Sequence, residues 1–323
     1  MAMHLRQLGS SDLSVSELCL GTMTMGWQND ERESHRILDR AFDRGINFFD
    51  TADVYSSWVE GNRGGESETI IGKWLKTKKR ADVVIATKAK GRMWDGPDGE
   101  GLSRSHLLRA CDDSLKRLGI DYIDLYQCHS PDDWVSIDET VDTLADLVKA
   151  GKVRWLGLSN YTASQHKAMN SYADRYRLPR LVTSQPKYSL VVRSRVEPDL
   201  ADYCLREQIG IIPYSPLEGG LLTGKYQLGK PLPEKARHTL NQRAPDKLTP
   251  QVVRVLDTLR DTAAKRGETM TQTALAWCLT KKHITSPIIG ATSIAQLDDC
   301  LGAAGKRLTA EEERTLDAVS AGL

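Results

Sequence analysis

A carboxylate and a phenol stand five residues apart in Asp50-Thr51-Ala52-Asp53-Val54-Tyr55, directly after the apolar run Ile46-Asn47-Phe48-Phe49. Further along, Lys88 follows the β-branched run Val83-Val84-Ile85-Ala86-Thr87, and His129 follows Leu125-Tyr126-Gln127-Cys128. Singly, each has a structural reading: Asp50 as a helix cap, Lys88 as a solvated charge, His129 as a satisfied polar group. Together they define a narrow range of chemistry. A phenol with an ordinary pKa of about 10 is a poor acid at neutral pH. An ammonium beside it stabilises the phenolate and lowers that pKa, and a buried carboxylate holds the ammonium in place. Asp50, Lys88 and Tyr55 thus make a tuned proton donor, and His129 is suited to orient the carbonyl oxygen that receives the proton. No nucleophile–base pair accompanies them, because Cys128 immediately precedes His129 and projects from the opposite side of a strand. A proton donor aimed at a carbonyl, with no nucleophile, needs a hydride from elsewhere, which implies a nicotinamide cofactor.

These four residues meet only if the chain between them is regular. Apolar, β-branched runs recur at 17–20, 46–50, 83–87, 122–129, 155–159, 181–185, 210–215 and 286–289, with helical spacing at 34–42, 66–75, 107–118, 137–148 and 163–176. Short buried strands alternating with helices predict parallel βαβ units, and eight of them predict an α/β (β/α)8 TIM barrel formed by 1–323 as one domain. The turn residues Gly9-Ser10-Ser11-Asp12 predict an N-terminal β-hairpin, and the long segment 216–285 and the C-terminal tail predict extra helices after strands seven and eight. Glycines at 45, 119, 151 and 210 read as left-handed helix ends before strands. Thr162 with Gln165 and Thr309 with Glu312 have capping-box spacing, and Thr249-Pro250 reads as a cap followed by proline at the first helical position. In such barrels the chemistry lies at the C-terminal strand ends, and strands about 4.8 Å apart bring the tips of strands two, three and four together.

Composition narrows the partners. Lys and Arg number 44 against 43 Asp and Glu, a balance that argues against a nucleic acid or an anionic membrane as partner. The basic run at 76–80 reads as a solvated helix C-terminus. The six cysteines, with no CxxC pair, predict neither a disulfide framework nor a zinc site and suit a reducing cytoplasm. No apolar signal core opens the sequence, and no run approaches the roughly 18 residues that span a bilayer, so a soluble cytoplasmic protein is expected.

The motifs at successive strand ends resemble those of the aldo-keto reductases: Asp50 to Tyr55, Ala86-Thr87-Lys88, Gln127-Cys128-His129-Ser130, Gly157-Leu158-Ser159-Asn160, Ser184-Gln185 and Tyr214-Ser215-Pro216-Leu217. The resemblance covers nearly the whole chain. It implies a (β/α)8 barrel using NADPH, in preference to NADH, to reduce an aldehyde or ketone to the alcohol. It also implies the catalytic set Asp50, Tyr55, Lys88 and His129, with Tyr55 as general acid. By the same resemblance Ser159, Asn160 and Gln185 hold the nicotinamide carboxamide, and Tyr214 stacks on the ring, followed by Ser215, Pro216 and Leu217. Gly219 to Lys225 matches the first part of a P-loop, but Tyr226 stands where a Ser or Thr would bind magnesium. The resemblance makes this loop, with Gly219, Gly224 and Lys225, a lid near the cofactor pyrophosphate. Gly290, Thr292, Ser293, Gln296 and Cys300 fall where the family holds the adenosine end. Gly290 and Gln296 stand where many members carry Lys and Arg, and Cys300 stands where an Asn is expected, so no basic residue of this motif meets the phosphate.

Trp27, Trp58, Trp94 and Trp134 fall in four successive strand-to-helix loops and predict an aromatic-walled pocket for a carbonyl with apolar character. Asp53 is expected to be structural. Two other classes compete: a cofactor-sensing regulatory subunit with little turnover, and a metal-dependent barrel hydrolase. The hydrolase needs several His, Asp or Glu ligands, and only Asp50 and His129 stand at the strand ends.

Overall fold

Pro213 and Pro216, at the end of the seventh barrel segment, have no N–H to give a ladder, and the parallel sheet shortens there accordingly. The computed structural model describes residues 3–227 and 248–323. Its parallel strands are β3 (Cys19–Gly21), β4 (Phe48–Asp50), β5 (Val84–Ala89), β6 (Ile123–Cys128), β7 (Val153–Ser159), β8 (Leu181–Gln185), β9 (Gly210–Ile211) and β10 (Ile288–Ile289). They are hydrogen-bonded in the order β10-β3-β4-β5-β6-β7-β8-β9. The sheet curls until its two ends meet: Ile288 N–H donates to the Pro213 carbonyl at 2.8 Å, and Tyr214 bridges Ile288. The architecture is a (β/α)8 TIM barrel. The seventh and eighth strands, expected over 210–215 and 286–289, have only two ladder residues each.

Helices α1 (Glu31–Asp43), α2 (Glu66–Leu75), α3 (Arg104–Leu118), α4 (Ile137–Lys149), α5 (Ala163–Tyr176) and α6 (Asp199–Arg206) follow successive strands. Between β9 and β10 lie α7 (Pro250–Arg266) and α8 (Met270–Thr280), and after β10 come α9 (Ile294–Leu301) and α10 (Ala310–Val319). Part of the long connection, 228–247, lies outside the described residues. The capping boxes of Thr162 with Gln165 and Thr309 with Glu312 are both formed, and Thr249 caps α7 with Pro250 at its first turn. Gly45, Gly119 and Gly151 adopt positive φ as expected. Gly210 does not: the left-handed residue before β9 is Gln208, with φ 55°.

The role of Gly210 is close approach. A side chain there would meet Gly9 N at 2.9 Å. Gly9 belongs to the turn between the antiparallel strands β1 (Leu5–Gln7) and β2 (Ser14–Ser16), so the expected hairpin is present and lies against the starts of β8 and β9. Leu8, Leu13 and Val15 from this hairpin join Phe48, Val84, Leu125 and Ile212 in one buried cluster. A second cluster fills the layer between the strands and α1 to α5, with Trp74 and Phe49 in tilted contact at 5.0 Å. With one end of the barrel closed by the hairpin, the polar strand ends face the other. Among the described residues no helix is long and apolar enough to cross a membrane.

Candidate active site

Parallel register determines which side chains share a level. Asp50 at the end of β4 pairs with Ala86 of β5, Lys88 two residues on pairs with Gln127 of β6, and Gln127 pairs with Gly157 of β7. Residues two apart on a strand share a face, so Lys88 rises beside Asp50, and His129 stands one step above Gln127. Gly157 provides the room. A Cβ there would lie 2.0 Å from Thr183 Oγ1 and 3.1 Å from Gln127 Cγ.

Within this layer Lys88 is wholly buried and uses its ammonium fully. It donates to Asp50 Oδ1 at 2.6 Å, to the Thr51 carbonyl at 2.7 Å and to the Tyr55 phenol oxygen at 3.0 Å. Burial opposes the charge, but the Asp50 carboxylate and Tyr55 outweigh it and hold the lysine above its ordinary pKa. The second Asp50 oxygen accepts from Gln185 Nε2 at 2.8 Å and Gln127 Nε2 at 3.3 Å. From sequence Gln127 stood in a motif but carried no role. Its signal was its place two residues before His129 on the same strand face.

His129 is half-buried, its ring 5.9 Å from that of Tyr55 at 71°. Burial first, then the charges of Lys88 and Lys90, push its pKa down to about 3. The imidazole is therefore neutral at ordinary pH and offers one N–H donor. Its backbone is pinned on both sides: His129 N–H donates to the Ala89 carbonyl at 3.0 Å, and the His129 carbonyl accepts from Asn160 Nδ2 at 2.9 Å. A phenol backed by an ammonium, beside a neutral imidazole, is an arrangement suited to delivering a proton to an oriented oxygen.

Asp50, Tyr55 and His129 line one part of a cavity of about 750 Å³, within the size range of small-molecule sites. Its wall continues through Ser159, Asn160, Gln185 and Tyr214. Ser159 Oγ donates to the Gln185 carbonyl at 3.0 Å, and the Tyr214 hydroxyl donates to Asn160 Oδ1 at 2.8 Å. Ser215, Pro216, Leu217, Gly219 and Lys225 follow along the same wall. Gly224 is set back behind Lys225, its φ of 79° ending a short 3-10 turn, Glu218–Thr223. The far wall carries Gly290, Thr292, Gln296 and Cys300. Ser293 instead caps α9, accepting from Gln296 N–H, while Gln296 Oε1 turns back to accept from the N–H and hydroxyl of Thr292.

The four tryptophans divide. Trp27 and Trp58 meet edge to face at 5.6 Å, and Trp58 approaches Tyr55 at 6.4 Å. Trp94 is stacked on His106 at 4.8 Å, with the Arg109 guanidinium 4.0 Å from its centroid, and Trp134 is 97% exposed. None of the four is among the residues that line the cavity, because loop position does not determine side-chain direction. Asp53 also points elsewhere. It is fully buried, its carboxyl oxygens have no side-chain hydrogen-bond partner among the described residues, and burial with the nearby Glu68 charge holds its pKa well above the usual carboxylate range.

Backbone strain concentrates at the same rim. Of the described non-glycine residues with positive φ, Ser56, Lys90, Asn160, Ser215 and Glu218 all lie in loops that leave strand C-termini; Arg177 and Gln208 end helices. Such conformations persist where the surroundings enforce them, and they cluster at functional sites. Among the described residues no three His, Cys, Asp or Glu side chains come together as a metal site.

The aldo/keto reductase family model matches residues 17–321. The chain is 37% identical to the "Uncharacterized oxidoreductase YrpG" of Bacillus subtilis over 99% of its own length and 97% of that protein. It is 35% identical to the "L-glyceraldehyde 3-phosphate reductase" of Escherichia coli, covering 92% of this chain and 86% of that protein. It is also 35% identical to a "Probable voltage-gated potassium channel subunit beta" of Arabidopsis thaliana, covering 92% and 90%. Matched across nearly its entire length, and with the strand-end groups converging at one mouth of the barrel, the chain belongs to the aldo/keto reductase family.

Proposed function

We propose that the chain reduces an aldehyde or ketone to the alcohol with NADPH, taking the proton from Tyr55. The observation that carries this reading is the buried Lys88 ammonium donating to the phenol oxygen at 3.0 Å. A phenol that gives up its proton there leaves a phenolate already facing a cation. His129, neutral and with one N–H donor, orients the carbonyl oxygen. Asp50 touches no reacting atom in this scheme and acts by positioning Lys88.

The donor set suits a nicotinamide. Ser159, Asn160 and Gln185 combine hydroxyl and amide groups able both to donate and to accept, as a carboxamide requires, and Tyr214 offers a ring beside them. Gly219 and Gly220, with φ 61° and 90°, bring bare backbone to the cavity wall, where side chains would keep a pyrophosphate away. The bound cofactor supplies the hydride. Thr292 and Gln296 then face the adenosine end, and NADPH is taken over NADH from the general usage of the family. Trp58, close to Tyr55, and Trp27 packed on Trp58 support an apolar wall on the substrate side, and six free, buried cysteines support a reducing cytoplasm as the setting.

NADPH oxidation against a panel of aldehydes and ketones, repeated with NADH, tests the reading. Tyr55→Phe should abolish turnover while cofactor binding persists; near-wild-type turnover in that variant would sink the mechanism. A second reading, a cofactor-sensing regulatory subunit, draws on the relative named as a channel subunit. The absence of a steady-state rate with every carbonyl tried, alongside tight cofactor binding, would favour it.

A further inference from the structure

One cation beside His129 has no binding role in the scheme above. Lys90 follows Ala89, the last residue of β5, and two sets of contacts fix its place. On one side, the Ala89 carbonyl accepts from the N–H of His129 at 3.0 Å. On the other, the Lys88 carbonyl accepts from Asp53 N–H at 3.1 Å, and Gly91 lies so close to Val54 that a Cβ there would come within 2.6 Å of it. Lys90 is thus held between His129 and the loop that carries Tyr55.

Its backbone is unusual as well. A φ of 152° is one that side-chain-bearing residues rarely adopt, and the Lys90 carbonyl is fixed by Gly101 N–H at 2.9 Å. Strain of this kind is retained where the surroundings dictate it, often at a ligand site. The side chain is half-buried and has no ion pair among the described residues. Nearby charges are already committed: Arg92 pairs with Glu100, and the Asp132 carboxylate accepts from the N–H groups of Leu102 and Trp134. The Lys90 charge also reaches the site, since it contributes to the depressed pKa of His129 after burial and Lys88.

We propose that Lys90 anchors an oxyanion, carboxylate or phosphate, carried by the carbonyl substrate, so that the site prefers charged aldehydes or ketones to uncharged ones of similar size. This rests on the reductase reading. A lysine is a compact point charge suited to either oxyanion, and the Tyr55 and His129 groups beside it set the carbonyl end.

Two matched pairs test it with the NADPH-loaded enzyme: succinic semialdehyde against butanal, and glyceraldehyde 3-phosphate against glyceraldehyde. The measured quantity is the ratio of kcat/KM for the charged and uncharged members. Lys90→Met should lower that ratio by about tenfold or more in at least one pair, and Lys90→Arg should retain more of it. The pair that responds identifies the oxyanion. Wild-type ratios in Lys90→Met for both pairs would overturn the assignment and leave the reductase reading intact. If none of the four aldehydes is reduced, the reductase reading fails on its own. Calorimetry with succinate and with glycerol 3-phosphate then decides about Lys90: weaker binding of either one to Lys90→Met supports the anchor, and unchanged affinity for both overturns it.

Discussion

Lys88 Nζ lies 3.0 Å from the phenol oxygen of Tyr55 and is itself wholly buried, so the lysine acts on the tyrosine without competition from water. Its other two N–H bonds go to Asp50 and the Thr51 carbonyl, which leaves it no alternative orientation. Removing the ammonium while keeping the stem, as in Lys88→Met, takes away the charge that stabilises the phenolate. Turnover should fall by roughly 10²–10⁴-fold, with the cofactor dissociation constant little changed. Single-turnover rates and fluorescence titration of NADPH would show this, and a rate within threefold of wild type would refute it.

In the proposed scheme His129 enters as a neutral donor rather than as an acid that titrates during turnover. With its pKa pushed down to about 3 by burial, Lys88 and Lys90, it stays unprotonated from about pH 5 upward. The kcat/KM profile should therefore show no limb from this residue between about pH 5 and 8. His129→Leu, which removes the donor, should lower kcat by roughly 10²–10³-fold, and His129→Gln, which keeps one, should lose less. A limb near neutrality that disappears in both variants would contradict the assignment.

Local signals carried much of the fold. Thr162 with Gln165 and Thr309 with Glu312 close their capping boxes because that chemistry spans only three residues. Asp50, Lys88 and His129 were readable because strand ends in a parallel barrel must share one mouth. Gln127 was harder to see. A buried strand residue looks like core until the register places it beside Lys88 and its amide within reach of Asp50. Trp94 and Trp134 show the opposite difficulty. Their loops were correctly located, but a packing partner such as His106 lies outside any sequence spacing rule. Gly157 was quoted as part of a motif, and its reason, the space filled by Thr183 and Gln127, exists only in three dimensions.

Asp53 should reduce stability where it is ionised. Its folded-state pKa is raised, by burial first and then by the Glu68 charge, so the native state keeps the proton to higher pH than the unfolded chain, where the value is about 3.9. Between those two values the native state binds more protons, and stability must fall as pH rises. Asp53→Asn removes the titration, so it should be more stable than wild type at about pH 8, by roughly 1–3 kcal/mol, with the gain shrinking toward about pH 4. Melting temperatures of both proteins across that range give the answer. A constant difference, or a larger gain at low pH, would show that the buried carboxyl is not the source.

Gly157 ties core packing to the site. An added methyl would sit 2.0 Å from Thr183 Oγ1, a buried hydroxyl with no hydrogen-bond partner among the described residues, and 3.1 Å from Gln127 Cγ. Gly157→Ala should therefore destabilise the barrel by about 1–3 kcal/mol through overpacking. It should also lower kcat by displacing Gln127 from Asp50. Thr183→Ala opens the same space and leaves no partner of its hydroxyl unsatisfied. The pair Gly157→Ala/Thr183→Ala should then recover stability relative to Gly157→Ala, a coupling expected between residues in contact. Additive losses in urea melts of the double variant would mean that Thr183 is not what excludes a side chain at 157.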